Sequence, residues 1–99
     1  MQKLNIYEGE TTEFKSCCNT SRASLPNDLW KTISAFANTR GGDIYLGVAD
    51  DRTIIGLDSS QLDALQKDLS SMISGDLFNR KPIIKIETMD SYLKVEVKE

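Results

Sequence analysis

Three acidic positions, Glu8, Glu13 and Asp50, are of the residue type that general acid–base or metal chemistry needs. Glu8 and Glu13 lie in Tyr7-Glu-Gly-Glu-Thr-Thr-Glu-Phe-Lys15, with Glu10 between them, and Asp50 precedes Asp51 at the end of an alternating apolar run. A strand carrying Glu13 beside a strand ending at Asp50 would bring carboxylates together, and Gly9 would let the chain fold Glu8 back towards them. Clustered carboxylates suit Mg²⁺ or Mn²⁺, which prefer oxygen ligands and keep bound waters. Such an ion can generate hydroxide, orient a phosphodiester and stabilise a leaving oxygen. The competing reading is a set of solvated acids at strand ends, the ordinary fate of Asp and Glu. The basic residues expected nearest to this constellation are Lys15, Arg40 and Arg52, with Lys31 on the first helix. They could hold phosphate beside the carboxylates, although Arg40, at a helix end, could equally offset the helix dipole. Arg80-Lys81 reads as a solvated turn.

The elements that must position these residues are legible from periodicity. Residues 11–16 have strand character, with Phe14 as the apolar anchor and Glu13 and Lys15 on the opposite side. Residues 17–24 are small and polar and read as a loop, after which Ser24 or Asn27 could cap a helix whose first turn accepts Pro26. Leu25, Leu29, Ile33, Phe36 and Ala37 follow helical spacing, and Trp30 widens the stripe. Asn38 and Thr39 end that helix, and Gly41-Gly42 can take the positive φ that closes it. Ile44, Leu46 and Val48 then alternate as a strand; Ile54 and Ile55 read as its return leg. Asp58 or Ser59 could cap a second helix, with Leu62, Leu65, Leu69, Met72 and Ile73 on its apolar face and Gly75 at its end. Ile83, Ile84 and Ile86 predict a strand, Met89-Asp90-Ser91 a turn, and residues 92–97 a last strand. The order predicts an α+β fold: a mixed sheet with two helices on one face.

Ninety-nine residues make one domain, spanning residues 1–99, and a final strand that runs nearly to Glu99 suggests the N-terminal part of a longer protein. An apolar fraction of 39% with 27% charged residues fits a globular domain, and no apolar run is long enough to cross a bilayer. With no signal-peptide core, a cytoplasmic location is expected. Cys17 and Cys18 are adjacent, which disfavours an unstrained mutual disulfide and suits a reducing compartment. The chain has no histidine, which removes Ser-His-Asp and Cys-His triads, histidine-ligated zinc and imidazole proton transfer. A net charge of −3 is unlike a freestanding nonspecific nucleic-acid binder, so such a role needs a local basic patch. No P-loop is present, and Gly41-Gly42 follow a helix instead of preceding one, so no helix N-terminus is offered to phosphate there.

Glu8-Gly-Glu-Thr-Thr-Glu-Phe-Lys15, then Ile33-Ser-Ala-Phe-Ala-Asn-Thr-Arg-Gly-Gly-Asp-Ile-Tyr-Leu-Gly-Val48, then Ile55-Gly-Leu57 together resemble the Schlafen-type AlbA-like domain, also labelled a DNA-binding or "divergent AAA" domain. The resemblance covers nearly the whole chain. It implies an α+β nucleic-acid-binding module of a prokaryotic transcriptional regulator, with DNA or RNA as partner and no cofactor required for binding. Lys15, Lys31, Arg40 and Arg52 would then be the phosphate contacts. It also implies an alternative, a metal-dependent endoribonuclease acting on structured RNA. Its three acids would fall on Glu8, Glu13 and Asp50 as catalytic residues and as ligands of Mg²⁺ or Mn²⁺. The Schlafen nuclease joins two such domains and adds a zinc site, whereas this chain has one copy, no histidine, and Ala49 where an acid is usual. A lone domain would need a homodimer to grip a duplex. A dimerisation or scaffold domain, with a chemically idle acidic cluster, is the third reading.

Overall fold

A computed structural model describes residues 3–19, 22–23, 25–26, 28–75 and 81–99. In chain order the elements are β1 (Thr12–Lys15), β2 (Cys18–Asn19), β3 (Arg22–Ala23), α1 (Leu29–Ala37), β4 (Gly42–Leu46), α2 (Ser59–Ser74), β5 (Ile84–Thr88) and β6 (Leu93–Val97). The main sheet has the order β1-β4-β6-β5. It is mixed: β1 runs parallel to β4, while β4–β6 and β5–β6 are antiparallel. The expected α+β arrangement is therefore the observed one.

Strand alternation sorts the side chains into two layers. Ile44 and Leu46 of β4 and Leu93, Val95 and Val97 of β6 fall on one face and share a core with Leu29, Ile33 and Phe36 of α1 and Leu62, Leu65 and Leu69 of α2. Both helices thus cover the same face. The opposite face holds a smaller cluster of Leu4, Phe14, Tyr45 and Val48 at one end. Its other end carries charged residues, with Lys85–Glu87 and Lys94–Glu96 ion pairs at 3.4 and 3.2 Å.

The helix ends follow local chemistry. Asp58 caps α2 by accepting from the Gln61 backbone N–H at 2.9 Å, while the Gln61 side chain accepts from the Asp58 N–H, a reciprocal box. Hydrogen bonds donated to the carboxylate, first by the Gln61 N–H and then by the Ser60 hydroxyl at 2.7 Å, hold the Asp58 carboxyl below the usual range. The expected first-helix caps, Ser24 and Asn27, lie outside the described residues, as does Arg80. Here α1 begins after Asp28, which makes no side-chain cap bond. Its far end closes when Gly41, at φ +76°, donates its N–H to Phe36 O at 2.7 Å.

Two expectations differ from the structure. The stretch read as a loop contains the small β2–β3 ladder, pairing Cys18 with Ala23 and Asn19 with Arg22. Two-residue strands bury no alternating face, so they leave no periodic trace. The return leg at Ile54 and Ile55 is present only as isolated bonds: Val48 bridges Ile54, and the Ile55 N–H donates to Gly47 O at 2.9 Å. Positive φ at Gly47 (95°) and Arg52 (74°) breaks the regular twist that a continuous ladder needs.

Candidate functional site

The acidic site is assembled around β1. Because Thr12 pairs with Asp43 and Lys15 with Leu46, Phe14 shares a face with Tyr45, and Glu13 and Lys15 share the helix-side face. Glu13 is partly buried there, beside the start of α1. Lys15 reaches Asp28 at 3.8 Å across the same gap. The turn before β1 folds back on it: the Gly9 N–H donates to Thr12 O at 3.2 Å, and the Phe14 N–H donates to Glu8 Oε1 at 3.1 Å. Glu8 thereby satisfies backbone on the outer side of an edge strand.

The Ala49–Arg52 turn delivers the third acid. The Arg52 N–H donates to Ala49 O at 2.8 Å, and Asp51 accepts from the Thr53 N–H at 3.0 Å. Hydrogen bonds from Thr53, its side chain first, hold the Asp51 carboxyl below its ordinary value. Asp51 is thus the turn builder, and its neighbour Asp50 is left exposed. The fields of these acids meet at Glu13. Burial is the main cause pushing the Glu13 carboxyl above the glutamate range; Glu8, Asp50 and Asp28 push the same way, and Lys15 opposes them.

Burial first, and the like charges around it second, make the ionisation of Glu13 a cost to the fold. Its folded-state pKa lies above the unfolded value, so the folded chain binds the proton more tightly between the two. Stability falls as pH rises through that window, and the full cost is present at neutral pH. Glu13→Gln is therefore expected to stabilise the domain at pH 7 by less than about 1 kcal/mol, since the group is still in contact with water, and so to raise its melting temperature. The gain should vanish below about pH 4, where glutamate is protonated in both states. Thermal unfolding of both proteins across that range checks the sign.

The candidate cations are divided by the structure. Lys15 is turned inward to Asp28. Arg52 donates from Nη1 to Leu4 O at 3.0 Å and stacks on the Tyr7 ring at 4.1 Å, clipping the N-terminal segment to the Ala49–Arg52 turn. Arg40 is exposed and meets Glu10 at 3.4 Å in a solvated pair. Lys31 is exposed on α1 and lies over the Trp30 ring at 5.7 Å. Lys31 and Arg40 thus present their charge to solvent, and Lys15 and Arg52 spend theirs on the fold. Asp28 is a participant that helical periodicity did not reveal, because its role depends on β1 lying beside the start of α1.

Three carboxylates are chemically the right donors for a hard divalent ion, and their mutual repulsion is what such an ion would relieve. Their positions do not close on one point: among the described residues, no three His, Cys, Asp or Glu side chains stand close enough to share a metal. No helix among those residues is long and apolar enough to cross a membrane.

A family model described as Schlafen, AlbA_2 matches residues 8–99, the span from the Glu8 turn to the end of the chain. The chain belongs to the Schlafen AlbA_2 family. The matched span takes in all of the elements that form this site: β1 with Glu13, α1 with Lys31, the Gly41-Gly42 junction and the Asp50 turn. Membership of the Schlafen AlbA_2 family makes this a nucleic-acid-related domain.

Proposed function

We propose that this domain is the nucleic-acid-binding module of a cytoplasmic prokaryotic transcriptional regulator, taking DNA or RNA by its phosphate backbone. The observation that carries this reading is the Schlafen AlbA_2 match across residues 8–99. Lys31 and Arg40 support it as exposed cations on α1 and just beyond its end, and Lys15 and Arg52 hold the surrounding segments in place. Binding needs no cofactor. It should appear in fluorescence anisotropy with a labelled duplex or hairpin, without metal, and weaken as salt rises, because counterions released into a saltier solution gain less entropy. Removing both cations, as Lys31→Ala with Arg40→Ala, should reduce the logarithmic salt slope by about 2, one per phosphate contact. Absence of binding at low salt would overturn the reading.

A second reading, a divalent-ion-dependent endoribonuclease with Glu8, Glu13 and Asp50 around Mg²⁺ or Mn²⁺, takes its motive from the like charges gathered near Glu13. It requires the three carboxylates to draw closer than they stand, because as placed they do not share one point; an ion held there would supply a hydroxide nucleophile and charge stabilisation at phosphorus. Glu13→Gln is a clean probe because it is expected to keep the fold. Cleavage of a structured RNA by the wild type in Mn²⁺, lost in Glu13→Gln, would favour this reading. Equal cleavage by both, or by neither, would count against it.

A further inference from the structure

The two edges of the main sheet are treated differently. On β1 the outward-facing backbone is met from within the chain, by Gly9 at Thr12 and by Glu8 at Phe14. On β5 no strand among the described residues pairs with the outer side. The direction of its backbone groups is fixed by the inner ladder. The Lys98 N–H donates to Ile83 O, and the Met89 N–H donates to Tyr92 O, both at 2.9 Å, so odd-numbered residues face β6. Ile84, Ile86 and Thr88 therefore direct their N–H and C=O groups outward, a ready template for another strand.

We infer that β5 is a self-complementary homodimer edge, pairing antiparallel with β5 of a second copy about a two-fold axis at Ile86. With Ile86 opposite its own copy, Ile84 meets Thr88 of the other chain and all of the outward groups find partners. Lys85 lies opposite Glu87 of the second copy, and Glu87 opposite its Lys85, giving two cross-strand ion pairs on the charged face. Beyond the strand ends Ile83 meets Met89, and these are two of the few large apolar side chains left exposed, at 66% and 37%. The neighbouring registers are poorer. Centring on Ile84 places Pro82, which has no N–H, opposite Ile86; centring on Thr88 sets Ile86 against Asp90. A lysine on an edge strand commonly blocks pairing with other chains, but this register gives Lys85 an opposite charge. The contact is isologous, so it closes at two copies, joining the two sheets into one. This inference rests on the geometry of β5 and not on the nucleic-acid reading, and its test contains no nucleic acid.

The test is sedimentation velocity on the chain and two charge variants. The wild type should be dimeric at about 0.1 mM, the range of a modest interface. Glu87→Lys and Lys85→Glu should each weaken their own homodimer by about tenfold or more, since both ion pairs become repulsive. Mixed together, the two variants should form a one-to-one heterodimer as tight as the wild type, because each charge again faces its opposite. Lys85 and Glu87 also stand opposite Glu96 and Lys94 on β6, so each reversal costs the fold something, but little for pairs in contact with water, and circular dichroism should show both variants folded. A monomeric wild type at that concentration, a homodimer untouched by Glu87→Lys, or no rescue on mixing would overturn the inference.

Discussion

Gly41→Ala is expected to destabilise the domain by about 2–4 kcal/mol, well beyond an ordinary glycine replacement. Gly41 holds φ +76°, where a Cβ costs roughly 1–2 kcal/mol for an L-residue. The new Cβ would also lie 2.6 Å from Val97 O and 3.1 Å from the Glu99 N, both backbone atoms at the end of β6. Backbone cannot rotate away as a side-chain tip can, so either the α1–β4 junction or the end of β6 must move. Two other glycines separate the causes. Gly56 has φ +87° but open space around a Cβ, so Gly56→Ala should show the strain alone, about 1 kcal/mol. Gly9 has neither a left-handed φ nor an atom within 4 Å, so Gly9→Ala should be neutral or slightly stabilising. Chemical denaturation of the three variants should rank them Gly41, Gly56, Gly9. A Gly41 variant no worse than the Gly56 variant would show that the end of β6 yields freely.

That junction was among the most legible features of the sequence, because closing a helix into a strand within a few residues demands glycine chemistry that is written locally. The α2 helix was equally legible, with its Asp58–Gln61 box and its Leu62, Leu65 and Leu69 stripe both lying within a few turns of chain. Features that depend on residues far apart in the chain were harder to see. The sequence suggests a Glu13 strand beside the strand leading to Asp50, but not that β1 and β4 run parallel, because no local pattern separates a parallel partner from an antiparallel one. The Arg52 clip onto Leu4 and Tyr7 joins residues more than forty positions apart, so a side chain that looked available for phosphate serves the fold. Asp28, just ahead of α1, joins the acidic field through tertiary packing that no local pattern marks. The β2–β3 ladder was missed because it buries no alternating face.

Phe14→Ala is expected to cost about 3–5 kcal/mol, the usual penalty for emptying a buried aromatic site. Phe14 is 1% exposed and meets Tyr45 edge-on at 5.8 Å, and Tyr45 in turn meets Tyr92 at 6.1 Å. Leu4 and Val48 complete the cluster, with Ile54 and Tyr92 packed against it, so the cavity is walled by the N-terminal segment and the chain flanking the Ala49–Arg52 turn as well as by the sheet. A domain of this size has only about 5–15 kcal/mol to lose. The consequence for the site is specific. Phe14 is what anchors β1, and its own N–H is the one that Glu8 accepts. Loosening β1 should therefore separate Glu8 and Glu13 from Asp50 before the helix-side core gives way. Hydrogen exchange should show protection lost first at residues 12–15, with α2 amides falling only as far as the global stability. Leu69→Ala empties the other core at a comparable cost of about 2–5 kcal/mol, and it should lower protection throughout without singling out β1. If Phe14→Ala and Leu69→Ala gave the same exchange pattern, β1 would be an integral part of one cooperative unit, and the acidic site could not be loosened apart from the fold.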